Sequence, residues 1–167
     1  MFKKMIFLVT LTVFCFAGTG SAFMAKVERI VDGDTLVVTN IDKGSPKEGE
    51  KIKLRLYGVD APETDQPYGD YATQLLKNRL QNKKVKIVAY GNDFYGRTIA
   101  SVYAKHKANA NLHINESLIV WGGAWIYDKY CKKTFCDLWQ DYQKEARFEK
   151  IGLWEQKKPV EPWNWRK

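Results

Sequence analysis

The sequence predicts an α+β chain built on a small closed five-stranded β-barrel of OB type, with about three helices. Three observations carry that expectation. Five short segments alternate apolar and polar residues, one helical repeat falls between the third and fourth of them, and the other helical repeats follow the fifth.

Taken in order, residues 26–31 and 35–39 alternate on either side of Asp32-Gly33-Asp34, a turn signal between two strands. The stretch 42–49 is polar and rich in Gly, Ser and Pro, hence a loop. Residues 52–57 alternate again and form the third strand. Pro62 and Pro67 interrupt, after which Tyr71, Ala72, Leu75, Leu76 and Leu80 recur at helical spacing. Residues 85–90 and 98–104 are the fourth and fifth strands. Residues 112–120 read as a helix closed by Gly122-Gly123, and a last helix runs over 135–150 with Gly152 as its C-cap. Beyond it, 156–167 is a Pro-broken tail carrying Trp163 and Trp165, two residues able to fold back onto the body. There are no internal repeats.

Residues 1–22 form a basic start (Lys3, Lys4), an apolar run and a small-residue ending, the pattern of a leader cut after Ala22. The apolar run is short for a membrane-spanning helix. The expected location is therefore secreted or periplasmic, or membrane-anchored if the leader stays. The domain then covers 23–155 and the tail 156–167. With 27 Lys plus Arg against 19 Asp plus Glu, the net charge of +8 favours a polyanion as partner. Two His and three Cys cannot build a zinc site of ordinary spacing, and they make a His-based triad a weak reading. If Cys15 leaves with the leader, Cys131 and Cys136 have only each other, giving a short-loop disulfide outside the cell; two free buried thiols are the alternative. His106 and His113 belong to no motif. Trp121, Trp125 and Trp139 read as packing residues.

Chemistry concentrates in three stretches. Val31-Asp-Gly-Asp-Thr35 offers hard oxygen donors at a barrel rim, or is an ordinary hairpin turn. Leu54-Arg-Leu-Tyr-Gly-Val-Asp-Ala-Pro-Glu-Thr64 places a cation and two carboxylates at one strand's exit, an arrangement suited to phosphate plus metal; a solvated salt-bridge cluster is the plainer account. Asp93-Phe-Tyr-Gly-Arg97 is a turn whose arginine offers a planar fork to phosphate oxygens, or is a surface residue of a common hairpin.

In order and spacing, the three stretches resemble the staphylococcal nuclease (thermonuclease) family from about Lys26 to Trp154. The resemblance implies an OB-fold barrel carrying a calcium-dependent phosphodiesterase that cleaves DNA and RNA. It matches Asp34 and Asp60 to the family's calcium carboxylates and Ala61 to a backbone-carbonyl ligand. It matches Glu63 to the catalytic glutamate, Arg55 and Arg97 to the catalytic arginines, and Asp32 to an acid behind the ligands. Tyr95, Tyr127 and Tyr130 fall where the family contacts the nucleotide. Phe94 departs from the family, which often has a phosphate-binding lysine there, and Ala61 replaces a threonine. The expected protein is a monomer acting on single- or double-stranded DNA and RNA, with no stable membrane association once the leader is cut. The alternative is a catalytically silent OB module that binds nucleic acid. A membrane-tethered surface protein that adheres through its charge is a weaker third reading.

Overall fold

Apolar alternation and tight turns bring five of the strands into a closed barrel, described by a computed structural model over residues 21–105 and 110–167. Most of the leader, with Cys15, and also His106 lie outside the described residues. The elements run β1 (Ser21–Ile30), β2 (Thr35–Asn40), β3 (Lys51–Leu56), β4 (Val59–Asp60), α1 (Gly69–Leu80), β5 (Lys84–Asn92) and β6 (Thr98–Lys105). Then come β7 (Asn111–His113), α2 (Ile114–Val120), β8 (Trp125–Ile126), α3 (Phe135–Phe148), a 3-10 turn at Gly152–Glu155, and the single turn α4 (Pro162–Trp165).

The sheet order is β3-β2-β1-β5-β6-β7, and a parallel pairing of β3 with β6, Leu54 opposite Thr98, closes it into a barrel. The other barrel pairings are antiparallel. Each strand turns its alternate apolar residues inward: Ala25 and Val27, Leu36 and Val38, Leu54 and Leu56, Val85 and Ile87, Ala100 and Val102 are all buried. In β1 a bulge lies between Val27 and Arg29 and moves the inward position from Val27 to Ile30. The carbonyl it frees, that of Glu28, accepts a hydrogen bond from Gln81 Nε2 at 2.7 Å, which ties β1 to the end of α1. Ala72, Leu76 and Leu80 of α1 and Leu118 of α2 complete the core. Asn115, fully buried in α2, links α2 to the barrel. Its Oδ1 accepts from Val102 N, and its Nδ2 donates to the carbonyls of Tyr57 and Ala100.

The short β4 and β8 and the turn α4 add to the expected elements, and three of the expected ones differ in their ends. β1 begins at Ser21, so cleavage after Ala22 would leave the strand starting at Phe23. Residues 111–113 pair with β6, Tyr103 opposite His113, and the helix starts only at Ile114. At the end of α3 it is Lys150 that takes the left-handed conformation, at φ 54, with Ile151 N bonded to Ala146 O at 2.9 Å; Gly152 lies two residues further on. Cys131 and Cys136 are joined by a disulfide, with Cα atoms 5.8 Å apart.

His113 has a structural place. Its ring stacks on Tyr103 at 4.5 Å, meets Phe135 and Trp139, and lies 3.0 Å from Ser101 Oγ. Burial pushes its pKa down to about 4. The unfolded chain takes up this proton near pH 6.5 and the folded chain near pH 4. Stability is therefore whole above pH 6.5 and falls as pH drops through that window. Urea unfolding at pH 7.5 and pH 5 should show a loss of about 1–2 kcal/mol from this group. In His113→Phe that part of the slope should vanish.

Candidate active site

At one rim of the barrel the ends of β2, β3 and β4 and the β5–β6 turn surround a cleft of about 910 Å³. Asp34 enters from the β1–β2 turn. Its position depends on Gly33, where a Cβ would come within 2.6 Å of the Ala61 Cβ and 2.7 Å of the Ala72 Cβ. Asp34 N donates to Asp32 Oδ1 at 3.0 Å, so Asp32 shapes the turn. Burial, and then the charge of Asp34, push the Asp32 carboxyl up. Asp34 Oδ2 accepts from Ala61 N at 2.8 Å, and its Oδ1 accepts from Thr35 Oγ1 at 3.1 Å.

Arg55 binds both acids from β3. Its Nη2 lies 2.7 Å from Asp60 Oδ1 and its Nη1 lies 3.1 Å from Asp34 Oδ2. Nη1 also donates to the carbonyls of Leu56 and Val59. Asp60 is only 1% exposed. Burial pushes its carboxyl up, and the hydrogen bond from Arg166 and the charge of Arg55 offset only part of that.

Glu63 stands on a turn fixed from both sides. Its amide donates to Gln66 Oε1 at 3.1 Å, and its carbonyl accepts from Gln66 N at 3.0 Å. Gly69, the first residue of α1, packs so closely here that a Cβ would sit 1.9 Å from the Glu63 carbonyl oxygen. Only glycine lets α1 start at this point.

Arg97 is oriented by Asp93. Its Nε donates to Asp93 Oδ2 at 2.6 Å and its backbone amide to Oδ1 at 2.9 Å. Partial burial works upward on Asp93, but the amide and guanidinium of Arg97 and the amide of Tyr95 hold its carboxyl below the ordinary range. Neither Nη of Arg97 has a hydrogen-bond partner among the described residues, so its outer fork is free for a ligand. Beside it Phe94 is 98% exposed, edge-on to Tyr95, and does not pack on the rim. Tyr127 and Tyr130 close the cleft opposite, edge to face at 4.7 Å.

The cleft thus brings together Asp34, Arg55, Asp60, Ala61, Glu63, Tyr95, Arg97, Tyr127 and Tyr130. The disulfide of Cys131 and Cys136 does not line it. Sequence reasoning missed Asp93 as the anchor of Arg97, and Gln66 as the anchor of Glu63. It also missed Arg166, whose Nη2 lies 2.7 Å from Asp60 Oδ2 and whose Nη1 bonds Glu63 Oε1. The hydrogen bond to Asp60, then that to Glu63, hold this guanidinium well above its ordinary pKa.

Asp34 and Asp60, with the Ala61 backbone beside them, are the residues able to hold a cation. No three Asp, Glu, His or Cys side chains converge on one ion position among the described residues, so any metal here would rely on backbone, water or substrate oxygens as well.

Comparisons with known proteins identify the family of the chain. A family model described as "Staphylococcal nuclease homologue" matches residues 53–156. A protein named "Uncharacterized endonuclease" of Escherichia coli is 35% identical over 141 residues, 84% of this chain and 83% of that protein. A micrococcal nuclease of Shigella flexneri is 35% identical over 150 residues, 87% of this chain and 81% of its own. A second protein named "Uncharacterized endonuclease", of Haemophilus influenzae, is 36% identical over 142 residues, 85% of this chain and 72% of its own. With the family match covering more than half the sequence and these relatives covering most of it, the chain belongs to the staphylococcal nuclease homologue family.

Proposed function

We propose that this protein is a calcium-dependent nuclease that hydrolyses phosphodiester bonds of DNA and RNA with little sequence preference, exported to the periplasm or beyond and acting as a monomer. Nuclease activity follows from the family and from relatives that bear the names endonuclease and micrococcal nuclease. One observation carries the catalytic reading. Two acids, two arginines and a glutamate, drawn from three separate stretches, converge on one cleft.

The donor set fits a hard cation. Carboxylate oxygens of Asp34 and Asp60 stand at one wall, and the protein already seats a positive group, the Arg166 guanidinium, on Asp60. Asp34, Asp60 and the Ala61 carbonyl would hold calcium, leaving positions for water and a substrate phosphate. When bound, calcium supplies charge neutralisation for the phosphate and lowers the pKa of nearby water.

The chain's own groups do the remainder. Glu63 orients the attacking water and accepts its proton, since its carboxylate reaches into the cleft on a rigid turn. Arg97 offers its free fork to the phosphoryl oxygens, whose negative charge grows during in-line attack. Arg55 is held by four oxygens and acts mainly by fixing Asp60 and Asp34, its charge adding to the same field. The leaving oxygen takes its proton from solvent. Tyr95, Tyr127 and Tyr130 present ring faces and edges for bases, which suits binding without sequence readout.

Phe94 brings an aromatic surface and no charge to a fully exposed position. Phe94→Lys should add one phosphate contact, steepening the log affinity versus log salt slope by roughly 0.7 on single strands. Filter binding of a short oligonucleotide across a salt series checks this; an unchanged slope in folded variant protein would leave the position without a substrate role.

The functional reading is tested by digesting plasmid and single-stranded DNA with calcium and then with excess chelator. Cleavage should require calcium, and magnesium should support little, because its tight octahedral shell fits a loose oxygen site poorly. Full activity in chelator would overturn the calcium assignment. Tight binding without cleavage under any cation would make the chain a silent nucleic-acid module.

A further inference from the structure

We infer that residues 162–167 are a built-in occupant of the active cleft, a strap that cation and nucleic acid must displace before the enzyme turns over. This rests on the proposed reading of the cleft as a cation and nucleotide site.

The strap fills two positions at once. Arg166 sets its planar fork on Asp60, with Nη2 at 2.7 Å from Oδ2 and Nη1 at 3.3 Å from Oδ1, while Nη1 also bonds Glu63. Arg55 already holds Asp60 Oδ1 at 2.7 Å, so both oxygens of the buried acid are engaged. Calcium cannot take Asp60 while Arg166 lies there, and the Glu63 oxygen that accepts from Arg166, Oε1, is closed to a water. Three residues earlier, Trp163 lies parallel to the Tyr127 ring, 5.1 Å away at 5°, covering the aromatic face that a base would use. A guanidinium thus stands where the cation would bind, and an indole stands where a base would stack.

The arrangement is built rather than incidental. α4 places Trp163 and Arg166 three residues apart, on one face of a single helical turn. Asn164 Nδ2 returns to Glu161 Oε2, and the amides of Trp165 and Arg166 bond the carbonyls of Glu161 and Pro162. Outside the cleft, Gln66 Nε2 donates to the Val160 carbonyl at 2.7 Å and Trp165 Nε1 to Asp65 Oδ1 at 3.3 Å. Gln66 therefore fixes Glu63 and the strap together. The Arg166 side chain is 40% exposed, so its ion pairs are screened and the strap can be displaced.

Calcium affinity and strap docking can both be read without turnover. In isothermal titration calorimetry the full chain carrying Arg166→Gln should bind calcium about tenfold more tightly than the unmodified chain, as expected if the strap is closed about nine-tenths of the time. In the unmodified chain, hydrogen–deuterium exchange across residues 162–167 should speed up about tenfold when calcium saturates the site, because α4 is released. Equal calcium affinity in the two proteins, with exchange unaffected by calcium, would overturn the strap while leaving the calcium site intact. Weaker calcium binding in Arg166→Gln would place Arg166 inside the working site and also overturn it. If neither protein binds calcium, the cation reading itself fails and the strap falls with it.

Discussion

Glu63→Gln is expected to slow cleavage of single-stranded DNA by about a hundredfold or more, the scale of losing a general base. The substitution keeps the shape of the side chain and removes only its capacity to take a proton. Little else should change. The fold contacts of Glu63 run through its backbone, to Gln66, and among the described residues its side-chain hydrogen bond is to Arg166. The urea midpoint should therefore stay near that of the unmodified protein, and a short oligonucleotide should bind at least as tightly, because the strap loses its ion pair to Glu63. Initial rates at saturating substrate, set beside an oligonucleotide titration, check this. A rate within a few-fold of the original would remove Glu63 from proton transfer.

Arg55→Met is expected to lose cleavage and also about 3 kcal/mol of stability, near the lower end of what breaking a buried ion pair costs. Asp60 is almost fully buried and Asp34 nearly so, and both lose a guanidinium partner. Arg166 still reaches Asp60, which keeps the loss from being larger. The carbonyls of Leu56 and Val59 lose their side-chain donor as well. Adding Asp60→Asn removes the stranded charge, so the double variant should regain part of the stability while remaining inactive. Urea unfolding of the four proteins in the cycle measures that coupling. A double variant less stable than Arg55→Met would show that the charge of Asp60 is not the source of the loss.

The barrel was legible because its strands alternate strongly. Ile52-Lys-Leu-Arg-Leu sends Leu54 and Leu56 inward and leaves Arg55 pointing to the rim, and the structure has that register. Short pairings left no such trace. The two-residue β4 and β8 join Asp60 to Trp125 across 65 positions, and a period of two cannot be seen in two residues. At 111–113 Leu112 sits in phase with the helix that follows, so its pairing to β6 is a tertiary choice that the local pattern hides. The site divides in the same way. Asp34, Arg55, Asp60, Glu63 and Arg97 lie in ordered stretches whose spacing carries a resemblance. Arg166 had no local signal, being one arginine in a Pro- and Trp-rich tail, 103 positions from the glutamate it meets. Gln66 and Asp93 were equally silent, because each anchors through a side-chain bond to a nearby group, which a polar residue of an ordinary turn also makes.

Closure of the barrel by the parallel β3–β6 pairing also sets when the chain becomes dangerous. β3 brings Arg55 and leads to Asp60 and Glu63, while the turn into β6 brings Arg97, and the two strands meet through residues far apart in sequence. Such non-local pairings carry a large entropy of ring closure and tend to form late, on millisecond-to-second timescales. A nascent or unfolded chain holds every reactive group yet has no working cleft. On the proposed reading of the chain as an exported nuclease, a polypeptide kept extended during transport across a membrane would leave the nucleic acids of its own cell uncut, and cleavage would begin only once the barrel closes.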